Sequence, residues 1–245
     1  MDDSGSLESL ARALRLPVFC DYAKHILPGR PFDENLRELM SLELSRREDA
    51  SFKRRVREAG FPCGKTLASF KYPPSLPHLK EEQLLDLAEC RFISDKMNIC
   101  AIGGSGTGKT HAMAAIGMEA VRRGRSVKFL RVSDLITMLD EAKTEKRLGA
   151  MMKTLLKYDL LELDELGYVS LSAKKAQLLF DVIANRCEAG SSIFVTSNYE
   201  FSKWTQFLGD NVMTKALVGK LTGSAKILNM NGEDYRLYLK REKQS

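Results

Sequence analysis

The stretch Gly103-Gly104-Ser105-Gly106-Thr107-Gly108-Lys109-Thr110 decides how the rest of the chain is read. It fits the pattern G-x-x-x-x-G-K-[ST], following the apolar run Asn98 to Ile102 and preceding a segment of helical periodicity. Strand, glycine-rich turn and helix in that order make a phosphate-binding loop. The glycines let the backbone wrap closely, so that successive N–H groups point inward at phosphate oxygens, and the helix adds its positive N-terminal end. Gly103, Gly104, Ser105, Gly106, Thr107, Gly108, Lys109, Thr110 and the adjoining His111 are the candidate nucleotide-binding residues. Lys109 is expected to reach the β- and γ-phosphates of ATP, and Thr110 to give its hydroxyl to a Mg2+ ion bridging them. A bare glycine-rich turn is the bland alternative. With glycine at about 7% of residues, a chance match in a chain of ordinary length arises about one time in a hundred.

Outward from the loop, short apolar runs alternate with helical ones from about residue 97 onward, the pattern of a parallel sheet with crossover helices. Strands are predicted at Asn98 to Ile102, Ser126 to Val132, Leu160 to Asp164, Ser192 to Thr196 and Lys226 to Met230. Ser133 is expected to cap a helix carrying Leu135, Ile136 and Leu139, and Ser172 to open one carrying Leu178, Leu179, Val182 and Ile183. The third strand ends in two carboxylates, Leu163-Asp164-Glu165, and is the Walker B candidate. Asp164 at the sheet's carboxyl edge can hold Mg2+ through water, and Glu165 can orient and deprotonate an attacking water. Glu162 is an oddity, since strand alternation puts it on the face of Asp164 but deeper in the sheet. Either it is paired or protonated there, or its strand lies near an edge. Asn198, closing the fourth strand, can hold the attacking water or the γ-phosphate if that strand lies between the first and third; a simple strand-ending turn is the alternative.

Before the sheet, the first seventy residues read as helical, with Leu7, Leu10 and Leu14 on one face and Leu36, Leu39, Met40 and Leu44 on another, separated by the turn Pro28-Gly29-Arg30-Pro31. The second helix is expected to stop near Gly60, with Pro62 just beyond. The proline-rich run from Phe70 to Pro77 marks a boundary. A helical N-terminal domain over residues 1–66 and an ATPase domain over 67–245 follow.

Composition narrows the class without deciding the function. The chain has 245 residues, 44% apolar and 29% charged, which excludes wholesale disorder and collagen-like or disulfide-scaffold classes. No apolar run approaches the ~18 to 20 residues of a membrane span. The start, Met1-Asp2-Asp3-Ser4, is acidic and resembles no secretory signal, so a cytoplasmic location without membrane association is expected. Five cysteines without a Cys-x-x-Cys pair argue for reduced thiols and against zinc. A net charge of +6 allows an anionic partner but does not establish one. One basic helical segment holds Arg46-Arg47 and Lys53, Arg54, Arg55 and Arg57, and a second cluster holds Arg122, Arg123 and Arg125 with Lys128; a third candidate is Lys143, Lys146 and Arg147. Each can neutralise DNA phosphates without reading bases, and each can equally be a solvated face.

The phosphate loop, Leu163-Asp164-Glu165-Leu166-Gly167-Tyr168, Thr196-Ser197-Asn198, Phe201-Ser202-Lys203-Trp204 and Gly232-Glu233-Asp234-Tyr235-Arg236 together resemble the IstB family of AAA+ helper ATPases, encoded beside the transposase in one group of bacterial insertion sequences. Phe61-Pro62, Lys65-Thr66-Leu67 and Ser69-Phe70 are similar to the segment joining that family's helical and ATPase domains. The resemblance covers nearly the whole chain and extends to the related DnaC-like helicase loaders. It implies an α/β, P-loop NTPase fold of AAA+ type, with a five-stranded parallel sheet in order 5-1-4-3-2 and no sizeable C-terminal lid. It also implies ATP and Mg2+ as cofactors, oligomers on duplex DNA, and recruitment and stimulation of a cognate transposase, with hydrolysis as the switch. Asn198 becomes the sensor 1 candidate and Arg236 the sensor 2 candidate.

One position departs from the family pattern. Where it places Asp-Arg, supplying an arginine finger to the neighbouring subunit, this chain reads Val218-Gly219-Lys220-Leu221, and no arginine occurs between Arg186 and Arg236. Lysine cannot reproduce the planar two-pronged contact, and a finger is worth about 10³ to 10⁵ in rate. Weak or partner-dependent hydrolysis is therefore expected, unless Lys220, Arg236 or another residue supplies the charge. A helicase loader and an ATP-gated DNA clamp with little hydrolysis are the competing readings. A small-molecule kinase is disfavoured, because nothing after the third strand suggests an acceptor pocket. Lys220→Arg is expected to raise ATP turnover of the DNA-bound assembly; unchanged turnover counts against the finger argument.

Overall fold

The computed structural model describes residues 6–72 and 76–242; Pro73, Pro74 and Ser75 of the boundary segment, and the acidic start, lie outside the described residues. The chain divides into two compact units at Arg54/Arg55. The N-terminal unit comprises α1 (Leu7–Ala13), α2 (Pro17–Cys20) and most of α3 (Phe32–Ala59). Ser6 caps α1 by accepting the Ser9 N–H at 3.2 Å. The Pro28 to Pro31 turn is closed by Asn35, whose side chain bonds the backbone of Leu27 and Arg30. α3 ends at Ala59, and Gly60 takes φ +76°, as a terminating glycine does.

The leucine faces expected here are not a core. Leu39 is buried, but Leu7, Leu10, Leu14, Met40 and Leu44 are exposed. Two short helices beside one long one have too little opposing surface to cover both stripes. The unit is fastened by a polar group instead. Glu43 is 4% exposed, and its carboxylate accepts hydrogen bonds from Arg46, Arg47 and the Val18 N–H. Burial works to raise its pKa, yet those three donors outweigh it and hold the carboxyl down at about 2. A groove of about 630 Å³ between Leu16, Phe19, Leu36, Met40 and Leu44 lies in this unit.

The larger unit continues with α4 (Glu81–Ala88), α5 (Arg91–Ser94), β1 (Asn98–Ile102), α6 (Lys109–Arg122), β2 (Val127–Arg131), α7 (Val132–Thr144), α8 (Leu148–Leu156) and β3 (Leu160–Leu166). After these come α9 (Ala173–Glu188), β4 (Ser192–Ser197), α10 (Thr205–Leu208), α11 (Asn211–Thr222), β5 (Ala225–Asn229) and α12 (Tyr235–Glu242). The strands form one parallel sheet in the order β2-β3-β4-β1-β5, the expected order read from the other edge. One face packs Cys100, Leu161, Leu163, Ile193 and Val195 against apolar residues of α7, α9 and α11. The other receives α6, whose buried Ala112, Ala114, Ala115, Gly117 and Ala120 let it approach closely.

Ser133 does not cap α7. The helix begins directly after β2, the extended Arg131 occupies the cap position, and Ser133 lies in the first turn, where its hydroxyl donates to Asp134. Ser172 does precede α9, without a side-chain capping bond. Arg186 is completely buried and donates to the carbonyls of Leu155, Tyr158 and Ser192, tying the approach to β3 to the start of β4. Burial lowers its pKa to about 10, so it remains a cation at neutral pH. All five cysteines are free. Among the described residues, no helix is long and apolar enough to cross a membrane.

β3 lies between β2 and β4, so an edge position does not explain Glu162. Its carboxyl is fully buried, with no hydrogen-bond partner on either oxygen. Gly117 of α6 makes the space: a Cβ there would lie 2.5 Å from Glu162 Oε1 and 2.7 Å from Phe61. Burial, and after it the negative charge of Asp164, push this carboxyl well above its usual value of 4.5, which favours its neutral form. A raised folded-state pKa gives stability that is full below the unfolded value and is lost as pH rises toward the folded one. Relative to Glu162→Gln, the wild type is therefore expected to lose stability progressively as pH rises above about 4.5. Urea denaturation from pH 4 to 8 measures this; a pH-independent gap contradicts it.

Candidate active site

Because the sheet is parallel, β1, β3 and β4 deliver their carboxyl ends to one edge, and the loop 103–108 joins β1 to α6 there. Gly106 and Gly108 take φ +72° and +90°, left-handed conformations that a side chain would strain. Gly103 is required for a different reason, since a Cβ on it would fall 2.1 Å from the Met230 carbonyl oxygen. The Lys109 side chain is buried, and its ammonium donates to the carbonyls of Gly103 and Gly104. Burial lowers its pKa to about 8, against the opposing pull of Asp164 and Glu165.

Asp164 is the meeting point of the edge. Its Oδ1 accepts the Thr110 hydroxyl at 3.0 Å and the Thr196 hydroxyl at 2.6 Å, and the residue is 2% exposed. Thr196 also accepts the Glu165 N–H at 3.0 Å. The β3–β4 register shifts between Leu163 and Leu166, and Glu165 in the break takes φ +62°. This irregularity turns the second carboxylate out of the strand, where it is exposed and stands 3.8 Å from Arg131 Nε. Ser197 braces the same place by donating to the Leu166 carbonyl at 2.7 Å. Asn198 follows on β4, which does lie between β1 and β3.

A cavity of about 280 Å³ at this edge brings together Lys109, Thr110, Glu165, Asn198 and Arg236, and adds Lys65 and Thr196. The His111 ring is engaged by the connector, its Nε2 lying 2.9 Å from the Thr66 carbonyl and 3.2 Å from the Ser69 hydroxyl. Phe70 packs edge-on against His111 and beneath Gly108. Arg236 reaches Ser105 Oγ at 3.4 Å and is gripped by Asp234.

Other sequence candidates stand elsewhere. Lys220 lies near the start of β1 and β4, the edge opposite this chain's own phosphate loop, and pairs with Glu188 at 2.9 Å. Arg122, Arg123 and Arg125, at and just beyond the far end of α6, are paired with Glu119, Glu89 and Asp159. Arg46 and Arg47 are the Glu43 donors described above, while Lys53, Arg54, Arg55 and Arg57 lie on the last turns of α3. Lys143, Lys146 and Arg147 are exposed around the α7–α8 turn, with Arg147 paired to Glu145. Sequence reasoning missed Thr196, Arg131 and Asp234. Thr196 had a signal, since alternation places it on the face of Asn198; Asp234 stood in the motif that ends at Arg236 without a role of its own, and Arg131 had no signal.

Sheet order, phosphate loop and the carboxylate-bearing β3 define a P-loop NTPase fold of AAA+ type. Solved structures sharing it include AMPPCP-bound DnaA from Aquifex aeolicus, with a TM-score of 0.60 and 20% identity, covering 76% of this chain and 56% of that one, so the chain spans just over half of that length. The DnaC helicase loader aligns with a TM-score of 0.57 and 22% identity over 70% of this chain and 98% of the other. The family model described as IstB-like ATP binding protein matches residues 6–244, and the chain belongs to that family. It is 35% identical to a protein named as an ATP-binding protein of insertion sequence IS5376 in Geobacillus stearothermophilus, over 86% of this chain and 83% of the relative. To the corresponding IS21 protein of Pseudomonas aeruginosa it is 34% identical, over 96% and 90%.

Thr196→Val keeps shape while leaving Asp164 and the Glu165 N–H each short of a partner. It is expected to cost about 1 to 3 kcal/mol in chemical denaturation; a change within about 0.5 kcal/mol contradicts the bracing role.

Proposed function

We propose that the chain is an ATP-dependent helper of insertion-sequence transposition, which binds ATP with Mg2+ at the sheet edge, assembles on duplex DNA, and recruits and stimulates a cognate transposase. The observation that carries the nucleotide part is the convergence of Lys109, the Thr110–Asp164 pair at 3.0 Å, and the outward-turned Glu165 around one cavity. The donor set fits a hydrated divalent cation, since a hydroxyl and a buried carboxylate oxygen lie 3.0 Å apart, the spacing of two adjacent ligands of an octahedral ion with Mg–O distances of about 2.1 Å. Thr110 and Asp164 would hold Mg2+, which when bound neutralises charge on the phosphates. Lys109 leaves the Gly103 and Gly104 carbonyls for the phosphates, Glu165 orients and deprotonates water, and Asn198 holds that water or the terminal phosphate.

The DNA and transposase parts draw support from relatives named for insertion sequences. Residues 1–66 act as the DNA- and partner-binding domain and 67–245 as the ATPase domain. Phosphate contact falls to the basic residues Arg46, Arg47, Lys53, Arg54, Arg55 and Arg57 of the first cluster and Arg122, Arg123 and Arg125 of the second. Lys220, remote from its own loop, acts on a neighbouring subunit's nucleotide, which makes hydrolysis slow and dependent on self-association. The protein works in the cytoplasm. A helicase-loader role draws only on likeness of fold, at 22% identity or below.

ATP turnover with and without duplex DNA, alongside DNA-dependent assembly followed by light scattering, tests this. Assembly in ATP with DNA-stimulated turnover is expected, and Glu165→Gln is expected to keep assembly while lowering turnover at least about a hundredfold. Absence of assembly on duplex DNA moves the reading to a helicase loader, and assembly without turnover to a clamp.

A further inference from the structure

The segment after β5 meets the phosphate loop through a carboxylate. Asp234 packs directly on Gly106, where a Cβ would come within 2.1 Å of its Cγ and Oδ1, so only glycine at 106 admits it. The Tyr235 N–H donates to the Gly106 carbonyl at 3.0 Å and fixes the approach. Arg236 lines the same cavity as Lys109 and Thr110, but its fork is occupied: Nε donates to Asp234 Oδ1 at 2.9 Å and Nη2 to Oδ2 at 2.6 Å. The Arg236 backbone N–H also donates to Oδ1, at 2.8 Å, as at a helix N-cap.

A carboxylate is the wrong sign for a loop whose N–H groups and lysine are arranged around anions. It repels an incoming phosphate, and the guanidinium edge formed by Nε and Nη2 serves one bidentate oxyanion at a time. Building on the nucleotide reading of this site, we infer that Asp234 is a positioning residue that competes with the terminal phosphate of a nucleoside triphosphate for Arg236. Triphosphate binding exchanges the partner of Arg236, whereas a diphosphate leaves the Asp234–Arg236 pair intact.

Asp234→Asn separates charge from structure, because asparagine preserves the capping acceptor while removing the competing anion. Fluorescent ATP and ADP analogues are titrated against the full-length wild type, Asp234→Asn, Arg236→Ala and the double variant. Asp234→Asn is expected to raise the triphosphate-to-diphosphate affinity ratio by about threefold to fivefold, the scale of a solvent-exposed ion pair, and the rise is expected to vanish when Arg236 is absent. A ratio unchanged or lowered by Asp234→Asn overturns the inference. So does an equal rise without Arg236, which would reduce Asp234 to general charge repulsion. A wild type that binds neither analogue overturns the nucleotide reading itself and this inference with it.

Discussion

One carboxylate oxygen joins the parts of this molecule on which the rest depends. Asp164 Oδ1 accepts a hydroxyl from the first turn of α6 and another from the end of β4 while sitting on β3. Three separate crossovers must therefore end at the same height for the bonds to form. A parallel sheet with β4 between β1 and β3 supplies that alignment. Thr196 then passes the constraint to Glu165 through its N–H, holding the break in register that separates a buried carboxylate from an exposed one. Two adjacent acids thus take different environments, one buried and one exposed, because the backbone between them is bent.

Much of this was legible in the sequence because the informative residues are constrained by backbone chemistry. Glycines at 103, 106 and 108 are there for close approach and positive φ, so their spacing announces the loop. Apolar runs of β-branched and leucine residues announce buried parallel strands, and the predicted strand ends differ from those observed by no more than two residues. The helical N-terminal unit was legible in its turns and helix end but not in its core. Periodicity reports that a stripe is apolar, and it does not report whether anything covers it, which is how Leu10 and Leu44 come to lie exposed.

What escaped the sequence depends on pairings between distant segments. Arg131 meets Glu165 only because β2 and β3 are neighbours in register, and Asp234 meets Gly106 only because the chain after β5 turns back over the loop. Ion pairing within the charge clusters escaped for the same reason: Arg122, Arg123 and Arg125 form one basic run in the sequence, and each has its own acidic partner. Glu162 stood out as an oddity in the sequence. Its tolerance depends on Gly117 of α6, whose missing side chain leaves room for the carboxyl.

In the proposed nucleotide site, Thr110 and Asp164 would be the cation-bearing half and the phosphate loop the other. Calorimetric titration of ATP into the full chain, in Mg2+ and again in excess chelator, tests it most directly. The account predicts one site per chain, with affinity falling by about tenfold or more on chelation. Equal affinity in both conditions, or no binding in either, would contradict it.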